Sequence, residues 1–210
     1  MISEEAHIVY GETPMVEWVA AALAKEGEQE CADLFLVKPD ENGVLLAAVD
    51  GLGHGPEAQQ VSRKVVKCLE SGTANQSLIA LIEGCHEEIK GSRGAVISIA
   101  RINSSNGELS WLSVGNIEGV LVKNSRNGQQ FKELVLRSGV VGYTLPSLQV
   151  SVEKISAGDV LFFATDGVMN EFIEGLNYNT PMKKTVKYAA KNYFKKTDDS
   201  LILAARLKRS

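Results

Sequence analysis

The hydrophobic positions of this chain follow two different periods along its length. Apolar residues recur at helical spacing over 58–69 and again over 78–89, which predicts two consecutive amphipathic helices. Pro56 stands where the first residue of the first helix is expected, and Asn75 is expected to open the second. Two such helices in succession predict one helical layer packed on a sheet.

Shorter apolar runs on both sides of these helices predict β-strands. Residues 16–24 fit either a helix or a strand, and we favour a strand because Gly27 closes the run like a hairpin. Asn124-Ser125-Arg126-Asn127-Gly128 is a further hairpin signal. The strands beyond residue 95 follow one another without helices, which indicates antiparallel pairing. The other predicted strands cover 34–37, 44–48, 95–102, 109–114, 119–122, 131–136, 149–155, 160–165 and 201–205.

One more long helix is predicted after the strands, with Thr180-Pro181 as its cap. One of its faces carries lysines at regular spacing, which form either a solvated surface or a docking face for an acidic partner. The whole pattern favours an α+β sandwich with sheets inside and helices outside, built as a single domain over residues 1–210. The apolar positions of this helix are Met182, Val186, Ala189 and Tyr193, and its lysines are Lys183, Lys187, Lys191 and Lys195.

Composition and charge narrow the classes of function. The chain has 210 residues, of which 44% are hydrophobic, enough for one buried core. Its net charge of −4 disfavours a nucleic-acid or acidic-membrane binder, and no apolar run is long enough to span a bilayer. Met1-Ile2-Ser3-Glu4-Glu5 lacks the order of a secretory signal. The three scattered cysteines indicate neither a zinc knuckle nor a disulfide framework, so we expect a cytoplasmic protein.

Two predicted strands end in the same way, on an aspartate followed by a glycine. One ending is Val49-Asp50-Gly51-Leu52-Gly53-His54-Gly55 and the other is Thr165-Asp166-Gly167. The glycines of the first ending are expected to take positive φ and let the backbone approach a ligand closely. Two more acidic positions, Asp33 and Asp198-Asp199, directly precede predicted strands.

Acidic groups at strand ends, without nearby histidine or cysteine, indicate a site for hard divalent cations such as Mg²⁺ or Mn²⁺. Carboxylates that converge on one place repel one another unless cations neutralise them. Two ions bridged by one carboxylate can turn a shared water into a hydroxide and clamp phosphoryl oxygens, which favours hydrolysis of phosphate esters. Each aspartate alone is more often an ordinary turn residue, so the hypothesis depends on the joint pattern.

These motifs resemble a known family in their order and spacing. The chain is similar to the metal-dependent protein phosphatase (PPM) family from about residue 16 to residue 207, and most similar to its SpoIIE-like bacterial branch. Within that branch it resembles small stand-alone phosphatases of bacterial stress signalling through Arg93-Gly94-Ala95 and Ser113-Val114-Gly115-Asn116. The family motifs are Ala32-Asp33, the Asp50 loop, Thr165-Asp166-Gly167-Val168 and Asp198-Asp199-Ser200-Leu201.

The resemblance implies a four-layer αββα sandwich of two antiparallel sheets flanked by helices, with two Mn²⁺ or Mg²⁺ ions. It implies hydrolysis of phosphoserine and phosphothreonine in STAS-domain proteins of the stressosome by a metal-bound hydroxide, without a covalent enzyme intermediate, by an enzyme that we expect to be monomeric. Asp50 would bridge the ions, Asp166 and Asp198 would hold the second one, and Asp33 would ligate an ion or orient its water. Asp199 would stand behind these ligands. The implied metal ligands are Asp33, Asp50, Gly51 through its carbonyl, Asp166 and Asp198, with Asp50 and Asp166 as the catalytic pair.

The chain departs from the family pattern at three places. Ala32 stands where relatives usually carry Gly or Glu, and no arginine precedes Asp33 to grip phosphate, with Lys25 only a distant substitute. Leu52 replaces a histidine, and His54 follows two residues later, either as a proton donor or as a residue that holds the loop. A degenerate, non-catalytic binding module for the same partners and a two-metal hydrolase of small phosphate esters therefore remain alternatives.

Overall fold

The computed structural model describes residues 5–125, 128–178 and 180–208. These residues form two antiparallel sheets, three α-helices and one short 3-10 helix. The strands are β1 His7–Glu12, β2 Val16–Leu23, β3 Asp33–Asp40, β4 Gly43–Gly51, β5 Ala95–Asn103, β6 Glu108–Val114, β7 Glu118–Ser125, β8 Gly128–Glu133, β9 Ser151–Lys154, β10 Val160–Ala164 and β11 Ser200–Leu207. The helices are α1 Gly55–Ser71, α2 Leu78–Glu88 and α3 Met182–Tyr193, and the 3-10 helix is Asn170–Phe172.

The strands form two sheets in which every neighbouring pair is antiparallel. The first sheet has the order β1-β2-β11-β10-β7-β8 and is called the β1–β8 sheet after its two edge strands. The second has the order β3-β4-β5-β6-β9 and is called the β3–β9 sheet. The central strands β4, β10 and β11 are buried nearly throughout, as their continuous apolar runs predict. The strand assignment of residues 16–24 is confirmed, because β2 pairs with β11 along its full length.

Three apolar cores join these sheets and helices into four layers. The central core lies between the sheets and includes Leu46, Leu161 and Leu203. A second core packs the other face of the β3–β9 sheet against α1 and α2, as the helical spacing of their apolar residues predicts. The third core packs the outer face of the β1–β8 sheet against α3 and the 3-10 helix. The predicted αββα sandwich is therefore confirmed.

Several boundaries differ from the sequence-based expectation. Helix α2 begins at Leu78 rather than near Asn75, because the hydroxyl of Ser77 accepts a hydrogen bond from the amide of Ala80 at 3.1 Å and caps the helix. Helix α3 begins after Pro181, but the Thr180 hydroxyl bonds to Thr185 and Asn177 instead of capping the helix.

Two further differences concern the β1–β8 sheet. Its edge strand β1 carries only a weak alternation of apolar and polar residues and was not predicted. Strand β8 ends at Glu133, so residues 134–136 leave the sheet. Of the predicted hairpin between β7 and β8, Arg126 and Asn127 lie outside the described residues, as do residues 1–4 of the first segment. The described helices include none with the length and apolarity that crossing a membrane requires.

The cysteines are less scattered in space than in sequence. All three are free thiols, but Cys68 on α1 lies against Cys85 on α2. Burial raises the pKa of the Cys85 thiol, and the neighbouring Cys68 raises it further. Next to it, Nδ1 of His86 accepts a hydrogen bond from the amide of Gly142 at 3.0 Å. Cys85 and His86 therefore hold the fold together, in line with the structural role expected of a buried cysteine.

Candidate active site

The first two aspartates of the site face each other across one pair of strands. Asp33 opens β3 and Asp50 lies next to the end of β4, and the antiparallel register places them directly opposite one another. Side chains of opposite residues point to the same face of a sheet, so the two carboxyl groups meet. Asp33 is 3% exposed and Asp50 is half-buried. This strand pair therefore contributes two carboxyl groups to the end of one sheet.

The other sheet contributes its aspartates from the ends of two adjacent strands. Asp166 follows β10, and Asp198 and Asp199 precede β11. Because β10 and β11 are antiparallel neighbours, the end of one lies beside the start of the other. Asp166 is exposed, Asp198 is half-buried and Asp199 is 4% exposed. Aspartates that are far apart in the chain thus reach one place between the sheets.

The electrostatic coupling of these groups reflects their closeness. Burial raises the pKa of the Asp33 carboxyl well above its usual range, and the charge of Asp50 raises it further. Burial also raises the pKa of Asp50 to about 7, with further contributions from the charges of Asp166, Asp198 and Asp199. A cluster of this kind holds its full negative charge only when positive charge is supplied.

Thr165 and two backbone amides link the acidic residues to the fold. The hydroxyl of Thr165 bonds to Asp33 and lowers its pKa in part, and it also accepts a hydrogen bond from the Leu201 amide at 2.8 Å. Burial raises the pKa of Asp199, whereas the backbone amides of Lys25 and Ala32 lower it. The Lys25 amide lies 2.9 Å from Oδ1 of Asp199. Asp199 is therefore held in place by backbone hydrogen bonds.

The glycines that follow Asp50 and Asp166 allow close packing of the backbone. A Cβ on Gly51 would overlap the carbonyl oxygen of Ala58 in α1, and a Cβ on Gly167 would overlap the carbonyl oxygen of Asp199. The expectation of positive φ at Gly51 was wrong, because its strand conformation is regular and only the space beside it is restricted. In the rest of the loop, Gly53 and Gly55 do take positive φ, of 98° and 76°.

Two polar residues beside Asp166 complete its surroundings. Nδ2 of Asn116 donates a hydrogen bond to Oδ2 of Asp166 at 3.0 Å, so Asn116 forms part of the wall of the site. Nζ of Lys195 donates to the Asp166 carbonyl at 2.7 Å. Sequence reasoning placed Lys195 on the lysine face of the last helix, but α3 ends at Tyr193 and Lys195 lies beyond it. Its spacing from the other lysines gave no signal of this role.

His54 lies at the start of α1, where the glycine-rich loop meets the helix. Its Nδ1 is 2.7 Å from Oε1 of Glu28, and its side chain is 53% exposed. Arg93 approaches the same loop. Its guanidinium lies beside Gly53 and forms an ion pair with Glu57. These contacts fit the loop-holding role of His54, and they place two basic residues at the rim of the site.

The donor set fits hard divalent cations, although it forms no closed cage. No three His, Cys, Asp or Glu side chains within residues 5–125, 128–178 and 180–208 lie close enough together to enclose one ion. Oδ2 of Asp33, however, is buried and accepts no hydrogen bond from any described residue. Mg²⁺ keeps several waters and commonly binds through only one or two carboxylates. An unsatisfied buried carboxylate oxygen beside other carboxylates is the arrangement that such an ion neutralises.

Comparison with known proteins places the chain in a family. The family described as Stage II sporulation protein E (SpoIIE) matches residues 40–208. The phosphoserine phosphatase RsbX of Bacillus subtilis (strain 168) is 30% identical over 157 residues, which cover 75% of this chain and 77% of RsbX.

Two solved structures share the fold over nearly the whole chain. One is described as "The bacterial stressosome: a modular system that has been adapted to control secondary messenger signaling"; it is 29% identical, has a TM-score of 0.81 and covers 91% of this chain and 99% of its own. The other is RsbX in complex with magnesium, with 23% identity, a TM-score of 0.83 and coverage of 96% and 100%. The predicted fold and enzyme class, a protein-serine/threonine phosphatase, are thereby confirmed, and the chain belongs to the SpoIIE family of protein phosphatases.

Proposed function

We propose that this protein is a metal-dependent phosphatase that removes phosphate from phosphoserine and phosphothreonine in other proteins. One observation carries the proposal: aspartates from both sheets converge, so that Asp166 and Asp198 raise the pKa of Asp50. Such a concentration of carboxylates is stabilised by divalent cations and is of use in phosphoryl chemistry.

Asp33, Asp50, Asp166 and Asp198, with the carbonyl of Gly51, are the groups that would hold two Mg²⁺ or Mn²⁺ ions. When bound, the ions would neutralise phosphoryl oxygens and lower the pKa of water for attack on phosphorus. Asp50 lies opposite Asp33 on paired strands, and the charge of Asp166 acts on it, so carboxylates from both sheets would be available to hold the ions. RsbX has been solved with magnesium, which supports the choice of a hard cation.

The chain's own polar residues would orient the reacting groups. Asn116 fixes the carboxylate of Asp166 at the exposed edge of the site through its 3.0 Å hydrogen bond. Lys195 places a positive charge beside the same turn, where it would attract a phosphate dianion. The exposed position of Asp166 leaves the site open to a residue presented on the surface of another protein.

The biological substrates would be phosphorylated STAS-domain proteins of the stressosome, so that dephosphorylation resets a stress signal. The similarity to RsbX and to the stressosome chain supports this choice. We also infer a monomeric, cytoplasmic enzyme whose residues 1–210 form one phosphatase domain, which the shared core between the sheets supports.

Phosphate release from phosphoserine and phosphothreonine peptides, with Mn²⁺ or Mg²⁺ and with EDTA, tests the proposal. We expect turnover that needs the metal and that EDTA abolishes. Phosphorylated STAS-domain proteins should be better substrates than small phosphorylated metabolites. A preference for the metabolites would favour the alternative hydrolase of small phosphate esters.

The second candidate is a degenerate module that binds the same partners without hydrolysis. Ala32 in the first motif and the lack of an arginine before Asp33 are the observations that favour it. Calorimetric titration with Mn²⁺ separates the two functions, because an active centre should bind two ions and a degenerate one should bind none or one. Tight partner binding without turnover would support the degenerate module and contradict the phosphatase.

A further inference from the structure

A groove of about 670 Å³ lies on the outer face of the β1–β8 sheet, beside the acidic cluster. Strands β7 and β8 form one wall, and the segment around the 3-10 helix forms the other. Helix α3 packs over β2 and β11 on the same face and leaves the β8 edge uncovered. We call this space the β7–β8 groove.

The end of β8 shapes the floor of the groove. The amide of Leu134 bonds to the carbonyl of Gly119 at 2.8 Å, and the Leu134 side chain lies where a Cβ on Gly119 would come within 2.6 Å of it. Gly119 thus lets Leu134 fold over β7 and become buried. Because Leu134 turns inward, the two residues that follow it, Val135 and Leu136, are directed into the groove.

The groove exposes apolar side chains that the protein itself does not cover. Phe131 is 49% exposed, Val135 is 57% exposed and Leu136 is 41% exposed, and all three line the groove. Scattered exposed apolar residues are common, but three in one concave surface indicate an interaction site. Phe131 is fixed in position by its ring contact with Tyr178 at 5.9 Å.

The charged residues that line the groove are all negative. Glu118, Glu133 and Glu174 line it, and no lysine or arginine joins them among the described lining residues. Strand alternation explains the segregation, because Lys132 points to the opposite face of β8 and pairs with Glu153 there. Burial raises the pKa of Glu118, and the charge of Glu133 raises it further. The groove is therefore complementary to positive charge.

The groove begins near the acidic cluster, because Glu118 pairs with Ala164, two residues before Asp166. Glu118 opens β7 two residues after Asn116, which bonds to Asp166. Lys195 is close to both features, since it bonds to the Asp166 carbonyl and its charge acts to lower the pKa of Glu118. A phosphorylated residue at the cluster would bring its neighbouring residues into the groove.

We propose that the β7–β8 groove binds the polypeptide flanking the phosphorylated residue of the substrate and selects segments that carry basic and apolar side chains. This inference rests on the proposed phosphatase function and assigns the sequence preference of the same site. The apolar wall would bury an apolar side chain of the segment, and the glutamates would pair with its lysines or arginines.

A single substitution in the groove, with a matched control, tests the docking role. Val135→Asp places a charge on the apolar wall, and Val152→Asp makes the same change on β9, where Val152 is 51% exposed and outside the groove. For a phosphopeptide with basic and apolar flanks, we expect Val135→Asp to lower kcat/KM by about tenfold, mainly through KM, because it removes a buried contact. Val152→Asp should behave like the wild type.

A small phosphate ester without flanking residues serves as the reference substrate in the same assay. It should be turned over equally by the wild type, Val135→Asp and Val152→Asp. If Val135→Asp lost turnover of this ester to the same degree as turnover of the peptide, docking in the groove would be contradicted. If the wild type with Mn²⁺ hydrolysed neither substrate, the phosphatase function itself would fail.

The charge preference is tested by exchanging charges between protein and peptide. Glu133→Lys with Glu174→Lys should weaken binding of the fluorescently labelled basic phosphopeptide, measured by anisotropy, and strengthen binding of a peptide with acidic flanks. An unchanged order of the two peptides would contradict the proposal. So would a wild-type dimer in analytical ultracentrifugation that Val135→Asp dissociates, because the groove would then bind a second copy of the chain.

Discussion

The two turns that carry Asp50 and Asp166 have nearly the same sequence but different surroundings. Asp50 is half-buried, opposite Asp33 on the same sheet, and its pKa is raised to about 7. Asp166 is exposed on the other sheet, where Asn116 donates a hydrogen bond to it. Identical chemistry at the ends of two strands thus produces an inner carboxylate, which needs neutralising charge, and an outer one, which solvent and substrate can reach.

The glycines of the two turns differ in the same way. Gly51 lets helix α1 approach the end of β4, whereas Gly167 lets the backbone before β11 approach the end of β10. Each glycine therefore brings a different element against its aspartate, and the pair positions acids from both sheets. Asp-Gly at a strand end therefore allows close packing of the neighbouring backbone here as well as forming a turn.

The largest expected effect is the loss of activity on removing either carboxylate. Asp50→Asn and Asp166→Asn should each lower phosphopeptide turnover with Mn²⁺ by about 1,000-fold or more, because a metal centre supplies several kcal/mol of transition-state stabilisation. Both variants should keep the native circular dichroism spectrum. Asp50→Asn should raise the unfolding midpoint of the metal-free protein at pH 8 more than Asp166→Asn does, because it removes the more buried of the two charges.

Glu41→Gln is a suitable control for this pair. Glu41 lies in the turn between β3 and β4, at the opposite end of these strands from Asp33 and Asp50, so its loss should leave turnover unchanged. Retained turnover in Asp50→Asn or Asp166→Asn would contradict the assignment of that residue to the metal centre.

The packing role of Gly167 predicts a loss of stability on adding a methyl group. In Gly167→Ala the new Cβ would overlap the Asp199 carbonyl, and overpacking of this kind costs about 1–3 kcal/mol. Urea unfolding monitored by fluorescence measures the change. Gly84→Ala is the matched control, because its Cβ would lie 3.8 Å from the nearest atom, Sγ of Cys68, in ordinary contact.

Gly84→Ala in helix α2 should leave stability unchanged or raise it by about 0.5–1 kcal/mol, as alanine favours a helix over glycine. Equal stability of Gly167→Ala and the wild type would show that the turn does not require the close approach seen here. Such a result would contradict the packing role of Gly167. The two turns would then differ only in the burial and electrostatic surroundings of Asp50 and Asp166.

The raised pKa of Asp50 predicts how the stability of the metal-free protein depends on pH. Since its pKa is raised in the folded state from 3.8 to about 7, its protonation contributes stability that is present below pH 4 and is lost as the pH rises through 7. We expect the midpoint temperature of thermal unfolding in EDTA to decrease as the pH is raised from 5 to 8. Mg²⁺ or Mn²⁺ should restore it most at the higher pH, where the carboxyl is ionised.

The Asp50→Asn variant isolates this contribution from that of other titrating groups. Its unfolding midpoint should depend less on pH than that of the wild type over the same range. If the unfolding midpoints of the two proteins changed with pH in the same way, Asp50 would not be the buried carboxyl that binds a proton. The proposed contrast between a buried Asp50 and an exposed Asp166 would then be contradicted.

Much of this arrangement could be predicted from the sequence because it depends on local signals. Continuous apolar runs indicated the buried strands, helical spacing indicated α1 and α2, and aspartates beside strands indicated the acidic cluster. The assignment of individual metal ligands stays a prediction. Strand β1 was not predicted, because it is a half-exposed edge strand in which apolar and polar residues alternate only weakly.

What sequence reasoning missed depends on contacts between distant residues. Nothing near Lys195 in the chain indicates that it reaches Asp166, because the contact forms only when the segment after α3 returns alongside the Asp166 turn. The same holds for Gly51, whose requirement comes from the nearby backbone of α1 rather than from its own φ. The hydrogen bond from Asn116 to Asp166 likewise forms only in the folded structure, because Asn116 precedes β7 and Asp166 follows β10.

The smallest expected effect concerns Asn116, the partner of the outer aspartate. Asn116→Ala removes the 3.0 Å hydrogen bond to Asp166 but leaves the carboxylate itself in place. A hydrogen bond to a charged group contributes about 1.5–3 kcal/mol when buried, and the exposure of this pair reduces it to about 1 kcal/mol. We therefore expect kcat/KM to fall by about fivefold, with a weaker apparent affinity for Mn²⁺ because Asp166 is less well oriented.

Asn192→Ala, which removes an exposed asparagine on α3 bonded to the Tyr188 carbonyl, is the matched control and should not change either quantity. If Asn116→Ala were as inactive as Asp166→Asn, Asn116 would have to act on the substrate directly rather than by orienting Asp166. The exposed carboxylate of Asp166 alone would then not explain how the second turn differs from the first.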